Sequence, residues 1–377
     1  MTKRIRIGLW IGILVVAGVV MIRWGLPRHP QPRGAPIVVG AVLSMSGAGE
    51  FIGAEVQHGF QLALDELNAR GGVNGRPLKV VIEDSRSDPD EGKQAFQRLE
   101  QTVHPLLTLA VTSTVVTAIA PLAEEQHVPF IGLITGITEQ FFKGKHWSFR
   151  TYTTTESLVA GALVPLERLK IKRLGILYLD DPYGQSMSRY TQQLFESKGG
   201  TVVLEPFSPK ATHAEDLAPH VAKLSTLEAI FVVGWDPHLK AAFIALREAQ
   251  YPGVILAPDT ATLPDVRQIP EATGVYVPAP AIYNPNFIFA REVKEKYEAR
   301  YQRPFTHYAA KGYDFLMMLA QLLEGRPVSR ESIRDALEGG FVYSGVFGIL
   351  SPKRGSHELG HSLSPAQIKA HGELKYF

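Results

Sequence analysis

The chain has 377 residues, 45% hydrophobic and 20% charged, with a formal net charge of +2. That is the balance of a water-soluble globular chain long enough for two domains of ordinary size. Six basic residues (Lys3, Arg4, Arg6, Arg23, Arg28 and Arg33) precede the first acid, Glu50. The rest is therefore acidic on balance, which excludes a nucleic-acid footprint. Zero cysteines exclude disulfides, thiol catalysis and cysteine-based metal sites. A chain of this size buries enough core to fold without staples.

Residues 1–36 read as a targeting or anchoring segment. Lys3, Arg4 and Arg6 form a positive start, and no charge interrupts Ile7 to Ile22. That run falls somewhat short of the ~20 residues of a spanning helix, but Arg23 can snorkel and Trp24 suits an interface. A cleaved signal peptide needs small residues at both cleavage positions. Here Ala17-Gly18-Val19 ends on Val, and Pro36 follows Gly34-Ala35. An uncleaved anchor is the better reading, with a cleaved signal as the alternative. Either way the positive-inside rule puts the body outside the cytoplasm. Pro27, Pro30, Pro32 and Pro36, with Gly25 and Gly34, make a stiff tether.

The body opens as strand, loop, helix, strand. Ile37 to Leu43 is an apolar run, and Ser44 to Gly53 is a Ser/Gly-rich loop. Phe60, Ala63, Leu64 and Leu67 then recur at helical spacing. Gly71-Gly72 stops that helix, Asn74-Gly75 turns the chain, and Leu78 to Ile82 is a second strand. This is the βαβ unit of a parallel sheet. The alternation continues with a helix over Pro89–Thr102, a strand over Leu106–Val111, a helix over Val115–Glu125 and a strand over Val128–Ile134. An aromatic and basic stretch, Phe141–Arg150, reads as loop.

A second series starts near Thr154. Helices are predicted over Ser157–Leu169, Gln185–Lys198, Glu215–Leu224 and Pro237–Gln250. Strands fall at Arg173–Leu179, Val202–Glu205, Ala229–Val233 and Val254–Ala257. Two sets of alternation predict two doubly wound α/β lobes. From Pro285 the period turns helical, over Phe287–Tyr301, Tyr308–Leu323 and Glu331–Leu337.

The stretch SMSGAGEFIGAEVQHGFQLALDELNARGGVNG, Ser44 to Gly75, resembles the first strand and helix of type I periplasmic binding proteins. The likeness is to the branched-chain amino-acid-binding group that serves ABC importers. It combines S-x-S-G, a spaced Gly, a helix of matching length, N-A-x-G-G and N-G. The resemblance extends over about residues 37–355. It implies an α/β fold of two Rossmann-like lobes joined by a hinge, 37–153 with 282–346 and 154–281 with 347–377. It implies a periplasmic solute-binding protein that performs no chemistry and needs no cofactor. The expected partners are an amino-acid-like small molecule and an ABC permease in the inner membrane.

Ligands of doubly wound sheets sit beyond the carboxyl ends of the strands. Thr112-Ser113-Thr114 follows the Leu106–Val111 strand and opens a helix. Hydroxyls there either hold an anion or merely cap the helix. By resemblance Ser113 matches the serine that holds the ligand α-carboxylate, with Thr114 beside it; Leu109 stands where the family often has Gly. Thr135-Gly136 follows the next strand. The family has a small residue and then a Thr contacting both ligand charges. Here Gly136 occupies the matching position, so either Thr135 takes the role by a one-residue shift or the amine contact is altered. A plain solvated turn is the other reading.

Asp180-Asp181-Pro182-Tyr183-Gly184 carries the family's D-x-x-Y-G, which implies that Tyr183 packs on the ligand from the second lobe. Trp235, before Asp236, matches an aromatic against the ligand side chain; Asp236 reads as a helix cap. Asp259 stands where the family has an acid, usually Glu, that pairs with the ligand ammonium; a plain loop Asp is the alternative. Phe51 or Ile52 would close the pocket from the first loop. A hydroxyl at a helix start and an acid across the cleft fit a zwitterion, because a carboxylate in a closing cleft needs a cation.

Three other readings are carried. An uncleaved Ile7–Ile22 segment would suit a membrane-tethered sensor. The Gly136 departure and Trp235 permit an amide, urea or aromatic acid as ligand. His357-Glu358-Leu359-Gly360-His361 matches H-E-x-x-H, the zinc signature of metalloproteases. That chemistry needs both His on one helical face and a third ligand. Pro352, Gly355, Gly360 and Pro365 argue against a helix, so these are expected to be surface-loop histidines.

Overall fold

The computed structural model describes residues 32–377. The apolar helix expected at Ile7–Ile22, and most of its tether, lie outside those residues. Among those described, no helix is long and apolar enough to cross a membrane.

The first sheet contains β1 (Ile37–Leu43), β2 (Leu78–Asp84), β3 (Leu107–Val111), β4 (Phe130–Ile134) and β5 (Ser148–Arg150), in the order β2-β1-β3-β4-β5. Every pairing is parallel. Helices cover both faces, which is why β3 and β4 are buried at every residue and read as unbroken apolar runs. The intervening helices are α1 (Glu50–Ala69), α2 (Pro89–Thr102), α3 (Ser113–Glu125) and the single turn α4 (Glu139–Phe142). One face packs α2 and α3 through Phe96, Leu99, Val115 and Ile119.

The second unit runs through α5 (Thr155–Leu169), β6 (Arg173–Leu179), α6 (Pro182–Ser197), β7 (Thr201–Phe207), α7 (Ala214–Leu224), β8 (Ala229–Val233), α8 (Asp236–Glu248), β9 (Val254–Leu256), the turn α9 (Pro264–Arg267) and β10 (Tyr276–Ala279). The chain then places α10 (Arg291–Tyr301), α11 (His307–Leu323) and α12 (Arg330–Glu338) back against the first unit, followed by a hairpin of β11 (Tyr343–Gly345) and β12 (Gly348–Leu350). Finally β13 (Ser364–Ile368) and β14 (Leu374–Tyr376) complete the second sheet, ordered β14-β13-β10-β9-β8-β6-β7. Its first five strands are parallel, and β13 and β14 join antiparallel.

Most predicted elements fall within a few residues of their expected limits. Phe141–Arg150 differs: it holds α4 and the edge strand β5. Burial decides this, since Phe142, Trp147 and Phe149 are all in the core, a tertiary effect without local periodicity. β10 and β13 were not located in the sequence because each contains a proline, and Pro278 faces Pro365 across the ladder. Proline donates no ladder bond and hides a strand from pattern reading. The helix expected from Phe287 begins at Arg291, after a 3-10 turn over Ile288–Ala290.

The chain passes between the two sheets after β5, after β10 and before β13. The last passage lies between Leu359 and Ser364 rather than at the 346/347 boundary implied by resemblance. Glu358 pairs in parallel with Arg150 at the edge of the first sheet, and Leu359 N–H donates to Arg150 O at 2.7 Å. The H-E-x-x-H residues are therefore extended, and they are half-buried rather than in a surface loop. His357 stacks on Phe149 with centroids 4.4 Å apart, and its Nδ1 lies 2.7 Å from Ser148 O. His361 Nδ1 lies 3.0 Å from Lys311 Nζ. The two rings share no helical face, and no metal-holding cluster occurs among the described residues.

The Arg150 guanidinium is fully buried; its Nε donates to Glu358 Oε2 at 2.6 Å. Glu358→Ala strands that cation without a counter-charge. Its side chain is 21% exposed, so we expect a loss near the lower end of the usual range, about 3 kcal/mol, read by urea unfolding. A second expectation concerns α1 and α11, whose backbones touch through two glycines. A Cβ on Gly59 would lie 2.0 Å from Ala309 O, and one on Gly312 would lie 2.5 Å from Val56 O. Gly59→Ala is expected to cost about 1–3 kcal/mol through overpacking, with an unchanged m-value in the same experiment.

Candidate functional site

The carboxyl ends of β3, β4, β6, β8 and β9 converge on one cavity between the sheets. The first sheet contributes Thr112, Ser113, Ile134, Thr135 and Gly136, with Ile52 from α1. The second contributes Tyr183, Trp235, Asp259 and Thr260. Tyr152, from the first passage between sheets, and Tyr308, from α11, complete the wall. The cavity measures about 30 Å³, room for about two waters. A ligand of several heavy atoms does not fit the cavity at this size. A larger hollow of about 620 Å³ lies along α1, α11 and the β11–β12 hairpin, away from these strand ends. Its two tyrosine hydroxyls are already engaged: Tyr313 donates to Glu66 at 3.0 Å, and Tyr343 to Asp314 at 2.6 Å. Strand-end geometry favours the smaller cavity.

Seven of the nine residues singled out in the sequence lie in its wall: Ile52, Ser113, Thr135, Gly136, Tyr183, Trp235 and Asp259. Thr114 and Phe51 do not. Phe51 stands behind the wall, its ring tilted against Tyr308 at 5.9 Å. Sequence reasoning did not pick out Ile134, Tyr152, Thr260 and Tyr308, and it read Thr112 only as part of the helix start. Thr260 adjoins Asp259, a usable signal; nothing local marks Tyr152 or Tyr308.

Ser113 opens α3, yet its hydroxyl does not cap that helix. Its Oγ accepts from Thr135 Oγ1 at 3.1 Å and from Gly136 N–H at 3.2 Å. Thr112, at the N-cap position, makes no side-chain cap either. Both hydroxyls are thus freed from capping, and the free N–H groups of α3 face the same corner. Trp235, not Asp236, occupies the N-cap position of α8; Asp236 lies in the first turn and pairs with Lys240 at 2.6 Å. Gly136 has its own steric reason. A Cβ there would lie 2.9 Å from the Tyr183 ring, so only glycine lets that ring ride over the end of β4.

Asp259 is wholly buried, and Tyr152 donates its phenolic hydrogen to Oδ2. His307 Nε2 lies 3.9 Å from the same oxygen. Burial pushes the Asp259 carboxyl up to about 6, against the pull of Tyr152, the Thr260 N–H and the Lys311 charge. Burial, helped by Lys311, pushes His307 down to about 3, so that ring is neutral. Lys311, on α11, donates to Thr151 O at 2.9 Å. Burial lowers it to about 8, opposed by Asp314 and Asp259. The site holds an anion with no full counter-charge in contact, facing a helix start that favours anions.

A family model described as periplasmic binding protein matches residues 36–373. The chain belongs to the periplasmic binding protein family. Leu/Ile/Val-binding protein homolog 8 of Brucella abortus (strain 2308) is 28% identical over 191 residues, 47% of this chain and 46% of that protein. The chain thus spans about half the length of the curated relatives it matches. Among solved structures, the leucine binding protein LivK of Thermotoga maritima MSB8 gives a TM-score of 0.80 at 23% identity, covering 90% of this chain and 97% of that one. An ABC transporter solute binding protein of Rhodopseudomonas palustris BisB5, in complex with 3,4-dihydroxy benzoic acid, gives 0.79 at 19%, covering 91% and 96%. At these identities the likeness is one of fold.

The buried acid of this periplasmic binding protein carries a pH signature. The folded carboxyl titrates about two units above its ordinary 3.8, so the folded state holds the extra proton between pH 4 and 6. Stability from this group is therefore present below pH 4 and lost as pH rises to 6. Asp259→Asn removes the loss. Without ligand, the variant should gain up to about 2–3 kcal/mol over the parent above pH 6 and nothing below pH 4, measured by denaturant melts across that range.

Proposed function

We propose that this periplasmic binding protein captures a small zwitterion, an amino acid, between two lobes outside the cytoplasm and delivers it to an ABC importer permease. The lobes are the unit built on the first sheet with α10–α12 and the unit built on the second sheet. One observation carries the reading. Ser113 at the start of α3 and Asp259 at the end of β9 face one cavity from opposite sheets. The helix start favours a carboxylate and Asp259 favours an ammonium. A ligand joining them bridges the two units and stabilises closure, a hinge motion without chemistry. The uncharged Ile7–Ile22 run would tether the protein to the inner membrane, and the same tether would serve a membrane-bound sensor.

An aromatic acid is the second reading. Tyr152, Tyr183, Trp235 and Tyr308 surround the cavity, and Tyr152 already satisfies one oxygen of Asp259. A carboxylate ligand would then use Ser113 and α3 alone. The dihydroxybenzoate-bound neighbour supports this for the fold.

Thermal and denaturant melts of residues 36–377 against amino acids, amides and aromatic acids test both readings. An amino acid at several hundred times its Kd is expected to stabilise by roughly 3–4 kcal/mol. That gain should vanish in Ser113→Ala and in Asp259→Ala. Stabilisation by aromatic acids alone, retained in Asp259→Ala, would replace the first reading with the second.

A further inference from the structure

The cavity wall carries more hydroxyls than an α-amine and an α-carboxylate can use. Thr112 is 3% exposed and Tyr183 is 7% exposed. Both line the cavity, and neither Thr112 Oγ1 nor the Tyr183 hydroxyl has a hydrogen-bond partner. Their neighbours are already engaged: Thr135 bonds to Ser113, and Tyr152 bonds to Asp259. Thr260 is placed to interact with the Tyr183 hydroxyl and opposes the rise that burial imposes on it, but the pair falls short of a formed hydrogen bond. A buried hydroxyl without a partner is uncommon in a folded protein and calls for an explanation.

Thr112 adds a second, independent observation. Its backbone has φ 66° and ψ 138°, a left-handed φ that a β-branched residue rarely adopts. Such strain concentrates at functional sites and persists only where surrounding structure holds it. Here Thr112 N–H donates to Ile134 O at 2.8 Å, and the side-chain methyl lies towards Gly49. The methyl thus packs just before α1, and the hydroxyl is left buried without a partner. Ile52, Ile134, Trp235 and the rings of Tyr152, Tyr183 and Tyr308 give this wall its apolar surface, and the two unpartnered hydroxyls interrupt it.

We infer that the ligand's side chain carries a hydrogen-bonding group, and that the site selects a small polar amino acid over its apolar isostere, with Thr112 and Tyr183 as specificity-determining residues. This rests on the amino-acid reading above. Threonine and valine make the discriminating pair, since they share a shape and differ by one hydroxyl. A site built to bond a hydroxyl rejects the analogue that lacks it, because its own buried groups are then left unpaired.

Isothermal titration of the purified full chain with L-threonine, L-valine, L-serine and L-alanine tests the inference. Threonine is expected to bind at least about tenfold tighter than valine, and serine tighter than alanine. Tyr183→Phe and Thr112→Val should each shrink the threonine-to-valine ratio by threefold or more. Circular dichroism checks that each variant is folded; the parent ratio alone decides the matter if one is not. Valine binding as tightly as threonine, or more tightly, overturns the inference and leaves the amino-acid reading intact. Binding of no amino acid, with binding of an aromatic acid, overturns both.

Discussion

The molecule turns on one buried cation. Arg150 ends β5, the last strand of the first sheet, and its guanidinium is sealed from solvent. Its Nε bonds Glu358, another of its nitrogens donates to Ile137 O, and its face lies over the Phe142 ring at 5.2 Å. Its backbone pairs with the 357–359 strand on both sides: Arg150 N–H donates to His357 O, and Leu359 N–H donates to Arg150 O. Two of the three passages between sheets are thereby held at one point. Burial keeps the Glu358 carboxyl above its ordinary value despite the adjacent guanidinium, so the pair fixes geometry more than it adds stability.

The passages between the sheets and the site are physically continuous. Tyr152 lies two residues beyond Arg150 and touches Asp259. Lys311 reaches from α11 to Thr151 O and His361, so one ammonium grips the first and third passages together. His307, on the same helix, stands between Asp259 and the Tyr283 hydroxyl, 3.1 Å from its Nδ1. Tyr283 follows β10 in the remaining passage. A charge entering at Asp259 therefore acts on groups that belong to all three connections. On the proposed reading, these side chains would be the path that couples occupancy to closure.

What the sequence made legible follows from where the determining forces are local. The βα alternation, the helix stops at Gly71-Gly72 and the D-P-Y-G corner are encoded in neighbouring residues, and each appears in the structure at its expected place. Asp181 caps α6 by accepting from Gly184 N–H at 2.8 Å, a contact its spacing announces. Six cavity residues were reachable because strand ends in a parallel sheet converge and the family resemblance marks positions there; Ile52, in α1, came from the resemblance to the first loop. Tyr152 and Tyr308 were not, since their position depends on passages and on a helix that returns from far along the chain. His357 and His361 looked like a metal motif by spacing alone. In three dimensions they are spacers of an extended passage, and only the partner strand β5 discloses it.

The contact between the two units depends on an exchange of sizes across the cleft. Gly136 yields the space that the Tyr183 ring fills, and α3 meets α6 directly, so the two units fit without a ligand of any bulk. The arrangement is tight at the aromatic side; Thr112 and Tyr183 leave their hydroxyls without partners, and Asp259 holds a buried charge without a full counter-charge in contact. Packing alone favours closing; the desolvated carboxylate and unpaired hydroxyls oppose it. On the proposed reading, a solute that supplies a cation and hydrogen-bond partners would remove the opposition and leave the packing. The balance between open and closed would then be set by polar satisfaction, with the shape of the cleft limiting how large the satisfying molecule can be.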